Sequence, residues 1–64
     1  MFNIRLKTAR ENKGLSLQQL ADKVGVSKQV LHAYEKGFTT PRPIVLAEIS
    51  KALEVSIDYL CGVE

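Results

Sequence analysis

Apolar residues recur along this chain in short blocks at helical spacing, separated by glycines and small polar residues. Phe2, Leu6 and Ala9 mark the inner face of a first helix that ends before Gly14, and Ile4 lies off that stripe. Leu15 is expected to pack inward from the connection. Ser16 stands where a side-chain oxygen caps a helix N-terminus. Leu17, Leu20, Ala21 and Val24 then form one face, with Gln18, Gln19, Asp22 and Lys23 on the wet side. Gly25 supplies the left-handed conformation that ends a helix without a Cβ penalty. Val26 plugs the turn, and Ser27 caps a third helix that runs through Lys36 to Gly37, with Leu31 and Tyr34 inside. A loop follows, Phe38-Thr39-Thr40-Pro41-Arg42. Pro43 suits the first position of a fourth helix, whose apolar stripe is Leu46, Ile49, Ala52 and Leu53. Ser56 caps a last short helix carrying Ile57, Tyr59 and Leu60, which Gly62 ends. Nothing reads as a strand, a linker or a repeat. The pattern predicts an all-α domain over residues 1–64, five short helices around one core.

Residues 17–36 are the most informative stretch. Leu20, Ala21, Val24, Val26, Leu31 and Tyr34 are spaced to pack two helices against each other across the tight turn at Gly25. Ala21 is small, which lets the helices cross closely. Ser27, Lys28, Gln29, His32 and Ala33 are left pointing outward on the second of them. That is the layout of a helix-turn-helix, which presents a rigid helix to the DNA major groove. Gln29 can bond an adenine edge bidentately, and Lys28 can donate to guanine O6 and N7 or to a phosphate. His32 can donate or accept, and the Ala33 methyl can meet a thymine methyl. The plainer reading is a solvated polar face. The turn geometry favours the DNA reading, and for His32 the two stand evenly.

Composition bounds the alternatives. With 64 residues the chain is one small domain, and 45% hydrophobic residues are too many for a disordered tail. No run approaches the ~18 apolar residues of a membrane span, and no signal peptide is visible. The single cysteine, Cys61, has no internal partner and is expected to be a buried or half-buried thiol, which fits a reducing cytoplasm. One histidine, one cysteine and scattered carboxylates argue against an enzyme, a metal site or a cofactor. Asp22, Glu35 and Asp58 look like surface or pairing residues. The four glycines are spread over turns and form no phosphate-cradling motif. A core of this size leaves little room for a small-molecule pocket.

The formal net charge is only +2, and its distribution says more. Residues 1–43 hold eight basic residues (Arg5, Lys7, Arg10, Lys13, Lys23, Lys28, Lys36, Arg42) against three acidic ones, net +5. Residues 44–64 hold Lys51 against Glu48, Glu54, Asp58 and Glu64, net −3. A basic front and an acidic back suit docking one face on phosphates, with ordinary charge scatter as the alternative.

The chain resembles the phage-repressor/Cro-type (Xre-type) helix-turn-helix family over nearly its whole length. The matching residues are Leu6 and Arg10, Leu15-Ser16, Leu20-Ala21, Val24-Gly25-Val26-Ser27, Leu31, Tyr34-Glu35-Lys36-Gly37, Pro41, Leu46, Ile49, Ala52-Leu53 and Val55-Ser56-Ile57-Asp58-Tyr59-Leu60. The resemblance implies a five-helix domain that binds double-stranded operator DNA, usually as a two-fold dimer, in a prokaryotic cytoplasm on the nucleoid. It implies base-edge positions at Lys28, Gln29, His32 and Ala33. It places Ser27, Lys36, the backbone around Leu17 and Gln18, and the loop with Thr39, Thr40 and Arg42 near phosphates. Arg10 and Glu35 match a pair that often forms a salt bridge, so Arg10 has a structural reading, which is favoured, and a phosphate-contacting one.

Three departures from the family pattern stand out. Phe38 replaces a basic or polar residue, and it either touches a partner or sugar or folds back onto the core. Ala33 is small where many relatives carry a longer polar reader. Val30 is bulkier than the small polar residue often found there, and packing is its expected role over contact with a thymine methyl.

The expected activity is that of a sequence-specific regulator, a repressor before an activator. Two recognition helices would enter successive major grooves roughly 34 Å apart. Ile57, Tyr59 and Leu60 offer apolar area for the dimer surface, with core packing as their other role, the favoured one for Leu60. The competing readings are an antitoxin-like protein-interaction module and the DNA-binding part of a longer sensor-regulator.

Overall fold

A computed structural model describes residues 1–63, and all of its regular structure is helical. The elements are α1 (Phe2–Asn12), α2 (Leu17–Val24), α3 (Lys28–Lys36), α4 (Pro43–Leu53) and α5 (Ile57–Cys61).

Local chemistry sets most of these boundaries. Ser16 and Gln19 form a reciprocal capping box at the start of α2: the Ser16 hydroxyl accepts from Gln19 N at 3.0 Å, and Gln19 Oε1 accepts from Ser16 N at 2.8 Å. Ser27 and Ser56 cap α3 and α5 in the same position, each hydroxyl accepting the backbone N–H three residues on. α4 starts at Pro43 without a side-chain cap, because proline lacks one of the N–H groups that would need one. The turn between α2 and α3 depends on Gly25 at φ 78°, whose N–H bonds Ala21 O at 2.9 Å. Val26 N reaches the same carbonyl at 3.1 Å, so the chain reverses within two residues.

α4 ends differently. Its C-cap is Glu54 at φ 57°, the only non-glycine residue with positive φ among those described. Val55 N then bonds Ser50 O, and the Ser50 hydroxyl donates back to Val55 O. No glycine marked this stop in the sequence.

All five helices contribute to one core: Leu6 and Ala9 from α1, Leu20, Ala21 and Val24 from α2, Leu31 and Tyr34 from α3, Ile49 and Leu53 from α4, and Leu60 from α5. Leu15, Val26, Leu46 and Ala52 are partly buried against it, as their spacing predicts. α3 packs against both α1 and α2, while α4 packs against α2 and α5. The helix that carries the candidate contacts is therefore held from two sides.

α5 is tied back by Arg5, whose Nη1 donates to Tyr59 O at 3.2 Å and whose guanidinium carbon lies 4.7 Å from the Tyr59 ring centroid. Cys61 differs from expectation here, while the alternatives left open for Leu60 and Phe38 are resolved. Leu60 is fully buried, so it is a core residue and not part of a dimer surface. Cys61 is exposed, because it follows Leu60 by one residue in the last turn and rotates out of the core. Phe38 is 80% exposed and does not fold back.

Candidate nucleic-acid interface

α3 buries Leu31, Tyr34 and Glu35 and leaves Lys28, Gln29, His32 and Lys36 exposed. Ala33 is half-buried between them. The predicted base-edge residues thus share one helix and one side of it. Val30 corrects the packing expectation: it is 39% exposed and stands outside the group of side chains packed on the core. Leu31 and Tyr34 already fill the inner side, so Val30 is turned to the flank.

A buried ion pair fixes the rotation of α3. Arg10 Nε donates to Glu35 Oε2 at 2.7 Å, and Nη2 donates to Oε1 at 3.2 Å. Arg10 Nη1 donates to Leu15 O at 2.7 Å. All three guanidinium nitrogens are occupied inside the protein, so the geometry supports the structural role of Arg10.

One flank of α3 opens into a cleft lined by Lys7, Arg10, Leu17, His32, Glu35 and Lys36. The N-terminus of α2 reaches this cleft at Leu17. The capping box takes up Gln19 N, and the N–H groups of Leu17 and Gln18 have no acceptor within the helix. Those groups, the positive end of the helix dipole and two lysines make a place that favours an anion. The Gln18 side chain is engaged separately, donating to Asp22 Oδ1 at 2.8 Å. Lys7 was not singled out from the sequence. Its signal was its place three residues before Arg10, which puts both on one side of α1.

The opposite flank is a hollow lined by Val30, Tyr34, Thr39, Thr40, Arg42 and Val45. It brings Thr39, Thr40 and Arg42 of the loop after α3, the predicted phosphate-contacting residues, beside Val30 of α3. Ser27 is exposed at the head of α3, its hydroxyl oxygen accepting from Val30 N at 3.1 Å. On α5, Ile57 is 40% exposed and Tyr59 half-buried under Arg5.

The pattern of the helix-turn-helix family matches residues 6–60. This chain belongs to the helix-turn-helix family. It is 43% identical over 60 residues to YqaE, an uncharacterised HTH-type transcriptional regulator of Bacillus subtilis (strain 168), a match covering 94% of this chain and 52% of YqaE. A crystal structure of SinR, described as the master regulator for biofilm formation, in complex with DNA superposes with a TM-score of 0.89 at 39% identity, covering 95% of this chain and 98% of that one. A crystal structure of the P22 c2 repressor with a synthetic operator superposes with a TM-score of 0.94 at 30% identity, covering 100% and 97%. The chain spans about half the length of the curated relatives it matches.

In this helix-turn-helix domain, charge along the sequence is not charge on a face. Arg5 is bound to α5, Arg10 is buried with Glu35, Lys13 pairs with Glu54, and Lys23 lies beside Glu48 and Lys51. The lysines and arginines that flank or head α3 are Lys7, Lys28, Lys36 and Arg42. Among the described residues no group of three or more His, Cys, Asp or Glu could hold a metal ion, and no helix is long and apolar enough to cross a membrane.

Proposed function

We propose that this chain is a sequence-specific DNA-binding transcriptional regulator that represses by occupying a near-palindromic operator as a homodimer. Each copy lays α3 in a major groove. The observation that carries the reading is the exposed side of α3, with Lys28, Gln29 and His32 presented outward while the buried Arg10–Glu35 pair holds the helix from behind. The likeness of the whole domain to the regulator SinR and to the P22 c2 repressor, both solved with DNA, supports it.

In this reading Lys28, Gln29, His32 and Ala33 meet base edges. The N–H groups of Leu17 and Gln18, with Ser27, Lys36, Thr39, Thr40 and Arg42, meet phosphates, and Lys7 joins them from α1. Arg10 positions α3 and touches no DNA. Ile57 and Tyr59 supply apolar area for the two-fold contact. Repression follows from occluding polymerase, which needs no further surface. The site holds no catalytic chemistry, and the protein works in the prokaryotic cytoplasm on the nucleoid.

The test is selection of binding sites from a random DNA library with the purified chain at two salt concentrations. An enriched two-fold motif, bound more weakly at the higher salt, is the expected result. Absence of binding at low salt would overturn the proposal.

A further inference from the structure

We propose that Val30 is a specificity-determining residue that reads the 5-methyl group of a thymine. The inference rests on α3 entering the major groove and deepens that reading. Val30 lies in the first turn of α3, beside Lys28 and Gln29. Residues at the N-terminal end of a recognition helix are the ones that reach base edges. Val30 is 39% exposed and is not among the side chains packed on the core. A β-branched residue costs a helix some stability, and here burial does not offset that cost.

The surroundings specify the ligand chemistry. Val30 lines a hollow together with Tyr34, Val45, Thr39, Thr40 and Arg42. Ala33, one turn on, adds a second small apolar group beside it. Among the four bases, only thymine shows a methyl group in the major groove. Val30 therefore matches thymine and no other edge. Its χ1 is held to one rotamer within a helix, so its two methyl groups meet the base already ordered. Gln29, its neighbour, has the donor and acceptor pair that suits adenine. The two residues together bias the first turn of α3 toward A·T pairs, Gln29 by hydrogen bonds and Val30 by shape.

The experiment uses a site recovered by selection, with each thymine replaced in turn by deoxyuridine. That change removes the methyl group and keeps every hydrogen bond. Wild type and Val30→Ala are titrated on each duplex, and both are checked for the same melting transition. At one thymine per half-site, wild type is expected to lose roughly fourfold in affinity, the value of one buried methyl, while Val30→Ala loses nothing further. A selected motif with no deoxyuridine effect in wild type, or equal losses in both proteins, overturns the assignment of Val30 and leaves the regulator reading standing. Wild type that enriches no motif overturns both. If Val30→Ala fails to fold, Val30→Ser takes its place in the same comparison, with the same outcomes.

Discussion

Arg10 and Glu35 are 25 residues apart in sequence and meet in a two-pronged ion pair behind the recognition helix. Both side chains are almost completely buried. The pair joins α1 to α3, and Arg10 continues to Leu15 O, just before the capping box of α2. One side chain thus fixes the relative placement of the three helices that form the candidate interface.

Removing one member leaves the other charge buried without its partner, which costs about 3–5 kcal/mol. A domain this small has little more stability than that to lose. Arg10→Ala and Glu35→Ala should each lower the urea midpoint severely. The double variant Arg10→Met/Glu35→Leu should recover most of the loss, since no charge is stranded. Equal midpoints for the single and double variants would contradict this account of the pair.

Leu60 and Ile57 separate core from surface on α5. Leu60→Ala should destabilise the monomer by about 2–5 kcal/mol, because it empties a fully buried site. Ile57→Asp should leave the unfolding midpoint within about 0.5 kcal/mol of wild type, as surface changes do. If Ile57 serves the two-fold contact, the same variant should lower the cooperativity with which two half-sites fill. Titrations on one and two half-sites measure that directly.

These two residues also show where sequence reasoning reached its limit. They share a face of α5 by spacing, and spacing does not tell how deep a short helix sits. Helix starts were legible because Ser16, Ser27 and Ser56 carry their own capping chemistry, and the turn was legible because Gly25 must adopt positive φ. The exposed side of α3 followed from Leu31 and Tyr34. Val30 and Cys61 were misplaced because an apolar residue at the edge of a stripe gives no sign of whether a neighbour covers it. The basic front was drawn from chain order. Arg5 and Lys23 belong to other faces because side-chain partners, which the sequence does not rank, take them there.

Glu54 is a site where the fold is locally strained. A non-glycine residue in the left-handed region costs about 1–2 kcal/mol, and glycine there costs only part of that in lost chain entropy. Glu54 also pairs with Lys13, but both side chains are well exposed, so the pair is worth about 0–1 kcal/mol. Glu54→Gly should therefore stabilise the domain by at most about 1 kcal/mol once the lost ion pair is subtracted, a rise of up to a few degrees in Tm. Lys13→Ala removes the ion pair alone and should give a small loss. A drop in Tm for Glu54→Gly that matches the drop for Lys13→Ala would mean that the ion pair, and not the backbone, governs this corner.

The cleft between α1 and α3 makes a prediction about salt. Each phosphate neutralised by the protein adds about 0.9 to the slope of log affinity against log salt, and a dimer makes every such contact twice. Lys36→Ala and Lys7→Ala should each flatten the slope by about 1.8 while weakening all DNA sequences alike, because a phosphate contact positions the protein without reading a base. Gln29→Ala should do the reverse, relaxing preference at one base pair per half-site and leaving the slope unchanged. Lys23→Ala is the discriminating comparison. Lys23 has the same formal charge and lies in the same basic segment of the sequence, yet it faces Glu48 and Lys51 on α4. A diffuse attraction set by net charge would lower the slope equally for all three lysines. An effect confined to Lys7 and Lys36 would place the phosphate at the mouth of α2, where Leu17 and Gln18 present their N–H groups.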